Sequence, residues 1–287
     1  MNLVYFRGLN CYHACIVNVA ALLGVRYRDA FATLWSETDF SYDPMHDLYL
    51  TKRMMANLEA LGAKLEPLNC ASKQVAEEGL CRLCPGAWII VGMDAFHIAW
   101  NPFYQSLHSF HYFIVQKEAG ERSPCFDPMY SQKEMWITPE EMSAHAFALL
   151  QLRKVPQTPL SIGAAQEAQE VVRTHPETQA NLLENIRGCV RGEQKKVGLL
   201  ARYVDAMINN RYLYRNYLQN SPSGLAAHPE FFNDDFFAQW TSVKNGLYKA
   251  SLVSDNEHII DEVCKKFSSL IDMEISMAEK MIAMASN

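Results

Sequence analysis

The sequence predicts an α+β chain in two parts, a mixed domain over about residues 1–157 and an all-helical domain over 158–287. Three observations lead there. The first part alternates helical periodicity with short apolar runs bounded by Pro and Gly. From about Pro159 onward the composition shifts to long helical stretches with hardly a strand signal. The 287 residues are enough for one large domain or two modest ones, each with its own core.

Residues 11–24, CYHACIVNVAALLG, place apolar side chains at helical spacing and end at Gly24, a fitting C-cap. Gly8 and Asn10 break the chain just before it, which sets Cys11 at or near the helix N-terminus. Further helices are expected from Arg28 to Trp35, from Leu48 to Leu61 and from Ser72 to Leu83, with KLEPL opening a strand between the last two. AWIIVGMD (87–94) is a continuous apolar run of buried-strand type, as is FHYFIVQK (110–117). PCFDP (124–128) makes a third, short strand, joined to the second through a hairpin at AGERS. TPEEMSAHAFALL opens with Thr138 as N-cap, Pro139 at the first helical position and paired Glu, and reads as a helix throughout.

The second part predicts helices from Ala164 to Thr174, Thr178 to Asn220, Asp234 to Leu252 and Glu257 to Ala285. NSPSGLAAHPE interrupts them as a loop. A bundle or cap is the expected architecture, with the aromatic runs YLYRNY and FFNDDFF at an interface between the domains.

Composition excludes several classes. Apolar residues make up 49% and charged residues 20%, ordinary values for a globular protein. A formal charge of −6 argues against a nucleic-acid partner held through phosphates. No run approaches the roughly 20 apolar residues of a membrane span, so no membrane partner is expected. MNLVYFRGLN lacks the basic and apolar regions of an export signal, so the expected compartment is the cytoplasm. There the eight cysteines stay mostly reduced, and one can act as nucleophile.

A cysteine nucleophile works as the thiolate, favoured by the positive end of a helix dipole and by a neighbouring imidazolium. Cys11 has the first by its position, and the second must come from elsewhere in the chain. His111 opens an apolar strand where its ring can face a cleft, and Asp127 follows on the next strand, brought alongside by the AGERS hairpin. Cysteine on a helix, histidine on a strand and aspartate on the following strand is the order of papain-like folds. The competing readings are Cys15 as nucleophile one turn on, His108 in place of His111, and Asp127 as a plain turn residue before Pro128. CRLC at 81–84 has half a zinc spacing but no good second pair, so no metal is expected.

The chain resembles the butirosin biosynthesis protein H family, a papain-like group related to bacteriocin-processing peptidases. The resemblance rests on NCYHACIVNVAALLG at 10–24, VGMDAFHIAWNPF at 91–103, SFHYFIVQ at 109–116 and CFDP at 125–128. It implies an acyltransferase that takes an acyl group from the phosphopantetheine thiol of an acyl carrier protein and delivers it to an aminoglycoside amine. For this family the acyl group is γ-glutamyl-4-amino-2-hydroxybutyryl and the acceptor is ribostamycin. Cys11 is then nucleophile, His111 base and acid, and Asp127 the group that orients it. No cofactor beyond the donor's phosphopantetheine is implied.

One departure stands out: papain-like peptidases carry a Gln about six residues before the cysteine as oxyanion donor, and here that place holds Tyr5. Tyr5 and Asn10 are the candidate replacements. Asp94, Asp234 and Asp235 are candidates for binding a cationic substrate, and Arg7, Arg26, Arg28, Lys52 and Arg53 for meeting an acidic carrier protein. Two other functions remain open: a cysteine peptidase, amidase or thioesterase using the same three residues, and a non-catalytic binding module.

Overall fold

A computed structural model describes residues 2–43, 48–68, 73–160, 163–189, 194–221, 230–253 and 255–285. In chain order the elements are α1 (Cys11–Leu22), β1 (Phe40–Asp43), β2 (Leu48–Thr51), α2 (Arg53–Ala60), β3 (Ala63–Leu68) and α3 (Lys73–Cys81). Then come β4 (Trp88–Asp94), β5 (Phe110–Gln116), β6 (Ser123–Asp127), β7 (Ser131–Ile137), α4 (Pro139–His145) and β8 (Ala146–Lys154). Four long helices close the chain: α5 (Ala164–Gly188), α6 (Gln194–Asn220), α7 (Asp234–Leu252) and α8 (Glu257–Ala285). The protein is α+β, and no helix among the described residues is long and apolar enough to cross a membrane.

The contacts divide the chain into two compact units, 1–27 with 55–159 and 28–54 with 160–287. A single cut near 157/158 therefore misplaces residues 28–54. That segment is bound into the second unit by buried polar groups. Glu37 is 1% exposed and accepts from the Lys52 and Arg53 N–H groups, the Thr51 hydroxyl and the Asn210 amide. Glu167 of α5 accepts from the N–H and Oγ of Ser36 at 2.6 and 3.1 Å. Trp35 stacks on Tyr214 and meets Phe232 edge-on.

In the first unit six antiparallel strands run in the order β3-β8-β4-β5-β6-β7. Ile89, Val91, Phe113 and Val115 face one side with Leu80 of α3 and Met142 of α4. Tyr112 faces the other, where Tyr12 of α1 packs edge-on against it at 5.0 Å. Gly92 permits that packing, because a Cβ there would lie 2.7 Å from the Tyr112 ring and 2.6 Å from that of Phe147.

The second unit pairs α5 with α8 and α6 with α7, and α7 with α8, around a core of its own. The aromatic runs of α6 and α7 belong to that core rather than to a surface: Tyr214, Phe232, Phe236 and Phe237 are all buried.

Several local expectations change. Tyr27–Phe31 forms a 3-10 turn instead of the helix expected from Arg28 to Trp35. Residues 48–51 form a strand before α2 begins, paired antiparallel with β1. The helix from Thr138 ends at His145, and AFALLQLRK becomes an interior strand because it pairs on both edges, with β3 and with β4. Pairing on two edges outweighs the helix propensity of Ala and Leu. β7 carries no strand signal in SQKEMWI and forms by pairing with β6. α5 continues through Pro176, where a break is expected, and the run from Thr178 to Asn220 is two helices. The loop at 222–229 lies outside the described residues.

Candidate active site

α1 begins where the sequence places it. Asn10 is the N-cap, its side-chain oxygen accepting from the His13 N–H at 2.8 Å. Cys11 therefore occupies the first helical position, where a backbone N–H has no intrahelical acceptor. The positive end of the helix dipole falls on the same spot. Cys11 is partly exposed, while Cys15 one turn on is fully buried. Burial pushes the Cys15 thiol well above its ordinary value, and the charges at Cys11 and Asp127 add to this. A buried thiol held protonated is a poor nucleophile.

The β5–β6 pairing, Ile114 with Phe126 and Val115 with Cys125, sets the strand that ends in Asp127 beside the one that carries His111. The His111 Nε2 lies 2.7 Å from Asp127 Oδ2. Both side chains are essentially buried, at 2% and 0% exposure. The thiol of Cys11 hydrogen-bonds to the same imidazole, whose Nε2 is taken by Asp127. Burial pushes the His111 imidazole down, but hydrogen bonds to Asp127 and Cys11, with their charges, outweigh it and raise it to about 9. The balance favours the imidazolium form of His111.

Asp127 serves two purposes at once. Its Oδ1 accepts from the Met129 and Tyr130 N–H groups at 2.9 and 3.1 Å, closing the turn into β7. Its Oδ2 accepts from His111 and from the indole N–H of Trp100 at 3.0 Å. One oxygen therefore closes the turn, and the other meets the imidazole and the indole.

Trp100 and Tyr130 enter the site without having been singled out in the sequence. Trp100 sits in WNPF, within a segment that carries the family resemblance, but nothing in its spacing points to Asp127. Tyr130 lies three residues after Asp127, and its ring centroid is 4.9 Å from that of His111. Tyr5 is brought in by Asn18 of α1, whose amide bonds the N–H and C=O of Val4, both at 2.8 Å. Burial raises the hydroxyls of Tyr5 and Tyr130, and the charge of Cys11 raises both further. The two rings remain partly exposed, at 44% and 38%. Both phenols thus feel the charge of Cys11, whereas the Asn10 side-chain oxygen is spent on its cap.

The other candidates have local roles. Asp94 accepts from the Phe96 and Ser109 N–H groups and pairs with His108 at 2.6 Å, which caps the strand end. His108 is thereby engaged in an exposed pair. Asp234 and Asp235 stand in the first turn of α7, Asp234 against Arg215 at 3.4 Å, as helix dipoles favour. Lys52 pairs with Asp39, and Arg53 bonds Ser36 and Thr33. Together with Arg28 they belong to the second unit. The described residues contain no group of three or more side chains fit to hold a metal ion.

A cavity of about 600 Å³ is lined by Trp100, Tyr104, Arg122, Trp136, Glu141 and His145. Replacing Trp100 by phenylalanine keeps the ring against Phe113 but removes one donor from Asp127. A carboxylate with one donor fewer holds the His111 proton harder. The histidine titration, followed by NMR, should move above about 9, with a stability loss of about 1 kcal/mol. A downward shift would contradict this arrangement.

No family model matches the chain, and no curated protein matches it.

Proposed function

We propose that the chain is a papain-like cysteine enzyme that transfers acyl groups through a thioester on Cys11. More particularly, we propose the activity implied by the resemblance to the butirosin biosynthesis protein H family. An acyl group passes from an acyl-carrier-protein thioester to an aminoglycoside amine. What supports the first step is one observation: a buried imidazole held between the Asp127 carboxylate and the thiol at the first position of α1.

The chemistry follows from those groups. The Cys11 thiolate attacks the donor thioester carbonyl, and the Cys11 N–H with a phenol of Tyr5 or Tyr130 supports the oxyanion. The carrier thiolate leaves and takes the proton from His111, so the enzyme holds the acyl group as a thioester. A neutral amine then attacks, His111 accepts its proton, and the Cys11 thiolate departs as the amide forms. Thiol-to-thiol exchange is nearly thermoneutral and amide formation from a thioester is downhill, so neither step needs an external energy source. A thioester donor also tolerates the missing glutamine, because its leaving group needs little assistance.

Intact mass spectrometry of the protein mixed with an acyl-loaded carrier protein tests this directly. An adduct of the acyl mass is expected on the wild type, absent in Cys11→Ala, and discharged to an amide when an aminoglycoside is added. Absence of the adduct overturns the proposal. Discharge to water at the same rate with and without the amine replaces transfer by hydrolysis.

A further inference from the structure

The second unit contains a cavity of about 610 Å³ between α6 and α7, within the size range of small-molecule sites. Its charge runs against that of the chain. Lys195 and Arg202 on α6 and Lys244 on α7 face it with a single acid, Asp205, which pairs with Lys244 at 3.0 Å. In a protein of net charge −6 the lining thus carries three cationic side chains to one acidic one. Lys195 is exposed and makes no hydrogen bond or ion pair among the described residues.

The helical spacing is regular. Lys195, Gly198, Arg202 and Asp205 recur on one face of α6, and Lys244, Tyr248 and Ser251 on one face of α7. Two rings, Tyr42 and the 60% exposed Tyr248, line the cavity. Gly198 keeps it open: a Cβ there would meet nothing closer than Ser251 at 3.9 Å. A glycine within a 27-residue helix is costly, and at this place no packing contact requires it.

We propose that this cleft binds a phosphate ester, its oxyanion held by Lys195, Arg202 and Lys244 and its organic part laid against Tyr42 and Tyr248. Charge-assisted bonds from several cations to phosphate oxygens are strong and directional, and the apolar and aromatic lining suits an attached ring or alkyl arm rather than a bare ion. The inference does not use the triad, so it stands or falls separately from the acyl-transfer reading.

Calorimetric titration of the full chain tests it with four probes: ADP, coenzyme A, inorganic phosphate and adenosine. At least one ester should saturate below about 1 mM, with inorganic phosphate and adenosine each binding about tenfold more weakly or worse. Saturation by ADP but not coenzyme A assigns the lining to a nucleotide; the reverse assigns it to the pantetheine arm. Lys195→Glu and Arg202→Glu should each weaken the ester about tenfold or more, and added salt should weaken it further. Gly198→Ala should leave the melting temperature unchanged or raised, which shows that the helix accepts a side chain. Gly198→Phe, which fills the cleft, should then abolish binding in a folded protein. Failure of both esters to saturate, equal binding of phosphate or adenosine, or affinity unaffected by these substitutions overturns the proposal.

Discussion

Asp127→Asn is expected to slow alkylation of Cys11 by iodoacetamide at pH 6 by about two to three orders of magnitude. The scale comes from His111, which sits at about 9 against an ordinary 6.5; an elevation of that size is a factor of about 10²–10³ in the protonation equilibrium. The amide has the shape of the carboxylate but the wrong hydrogen-bonding pattern. Its oxygen can still close the turn by accepting from the Met129 and Tyr130 N–H groups. Its NH₂ then faces two donors, the imidazole Nε2 and the Trp100 indole. The ring must either turn away or move its proton to Nδ1, and there the sulfur meets a neutral imidazole instead of an imidazolium. With the carboxylate charge gone, burial acts against a weaker opposition, and the histidine titration should fall toward 6.5 or below it. The measurement is the alkylation rate of wild type and variant, with the imidazole titration by NMR as its companion. An unchanged rate would show that Asp127 serves only the turn.

Legibility in the sequence followed the range of the interaction. α1 was legible because its signals are local: a break at Gly8 and Asn10, apolar spacing, and Gly24 at a φ of +74° as the C-terminal stop. The same holds for α7 and α8. The two strands of the AGERS hairpin were legible too, and with them the chance that His111 and Asp127 meet, since a hairpin fixes register through its turn. What failed depended on distant partners. β8 reads as helix until β3 and β4 claim both its edges. Residues 28–54 look like part of the first domain until Asn210 and Glu167 satisfy the buried polar groups of Glu37 and Ser36. At the site, Trp100 is 27 residues from Asp127 in sequence, with no periodicity that could link them. Tyr5 is placed by Asn18, whose polarity within an apolar helix face was the one available signal.

Glu274→Leu should cost about 3–5 kcal/mol, the largest single loss of stability expected in the second unit. Glu274 of α8 is fully buried with His175 and Arg211. One oxygen takes the Arg211 Nε and the Trp240 indole; the other takes the remaining Arg211 nitrogen at 2.6 Å and His175 at 2.7 Å. The leucine leaves a guanidinium without a counter-charge in hydrocarbon, its other contacts being the Met207 C=O, the face of Trp240 and, at 3.4 Å, His175 Nε2. At about 2–4 °C per kcal/mol for a chain of this size, the melting temperature should drop by roughly 10 °C.

The double replacement Arg211→Met with Glu274→Leu should recover much of this, because no buried charge is then left alone. The unpaired Trp240 and His175 groups should keep it below the wild type. A double variant no better than the single would mean that the indole and imidazole, and not the guanidinium, set the cost.

Acid gives an independent reading of the same cluster. Burial pushes the Glu274 carboxyl up, but Arg211 and His175 overcome it and hold it at about 2, below an ordinary 4.5. A carboxyl with its folded value depressed stabilises the fold above its unfolded value and loses that contribution as pH falls toward the folded one. The loss, about 3 kcal/mol, therefore belongs between 4.5 and about 2. His13 acts earlier: burial alone lowers it from 6.5 to about 4, so the unfolded chain takes up that proton first and stability falls between those values. Far-UV circular dichroism should show that Glu274→Leu removes the later acid-dependent loss and leaves the earlier one in place. Loss of the earlier step instead would mean that the buried carboxylate is not what Arg211 holds ionised.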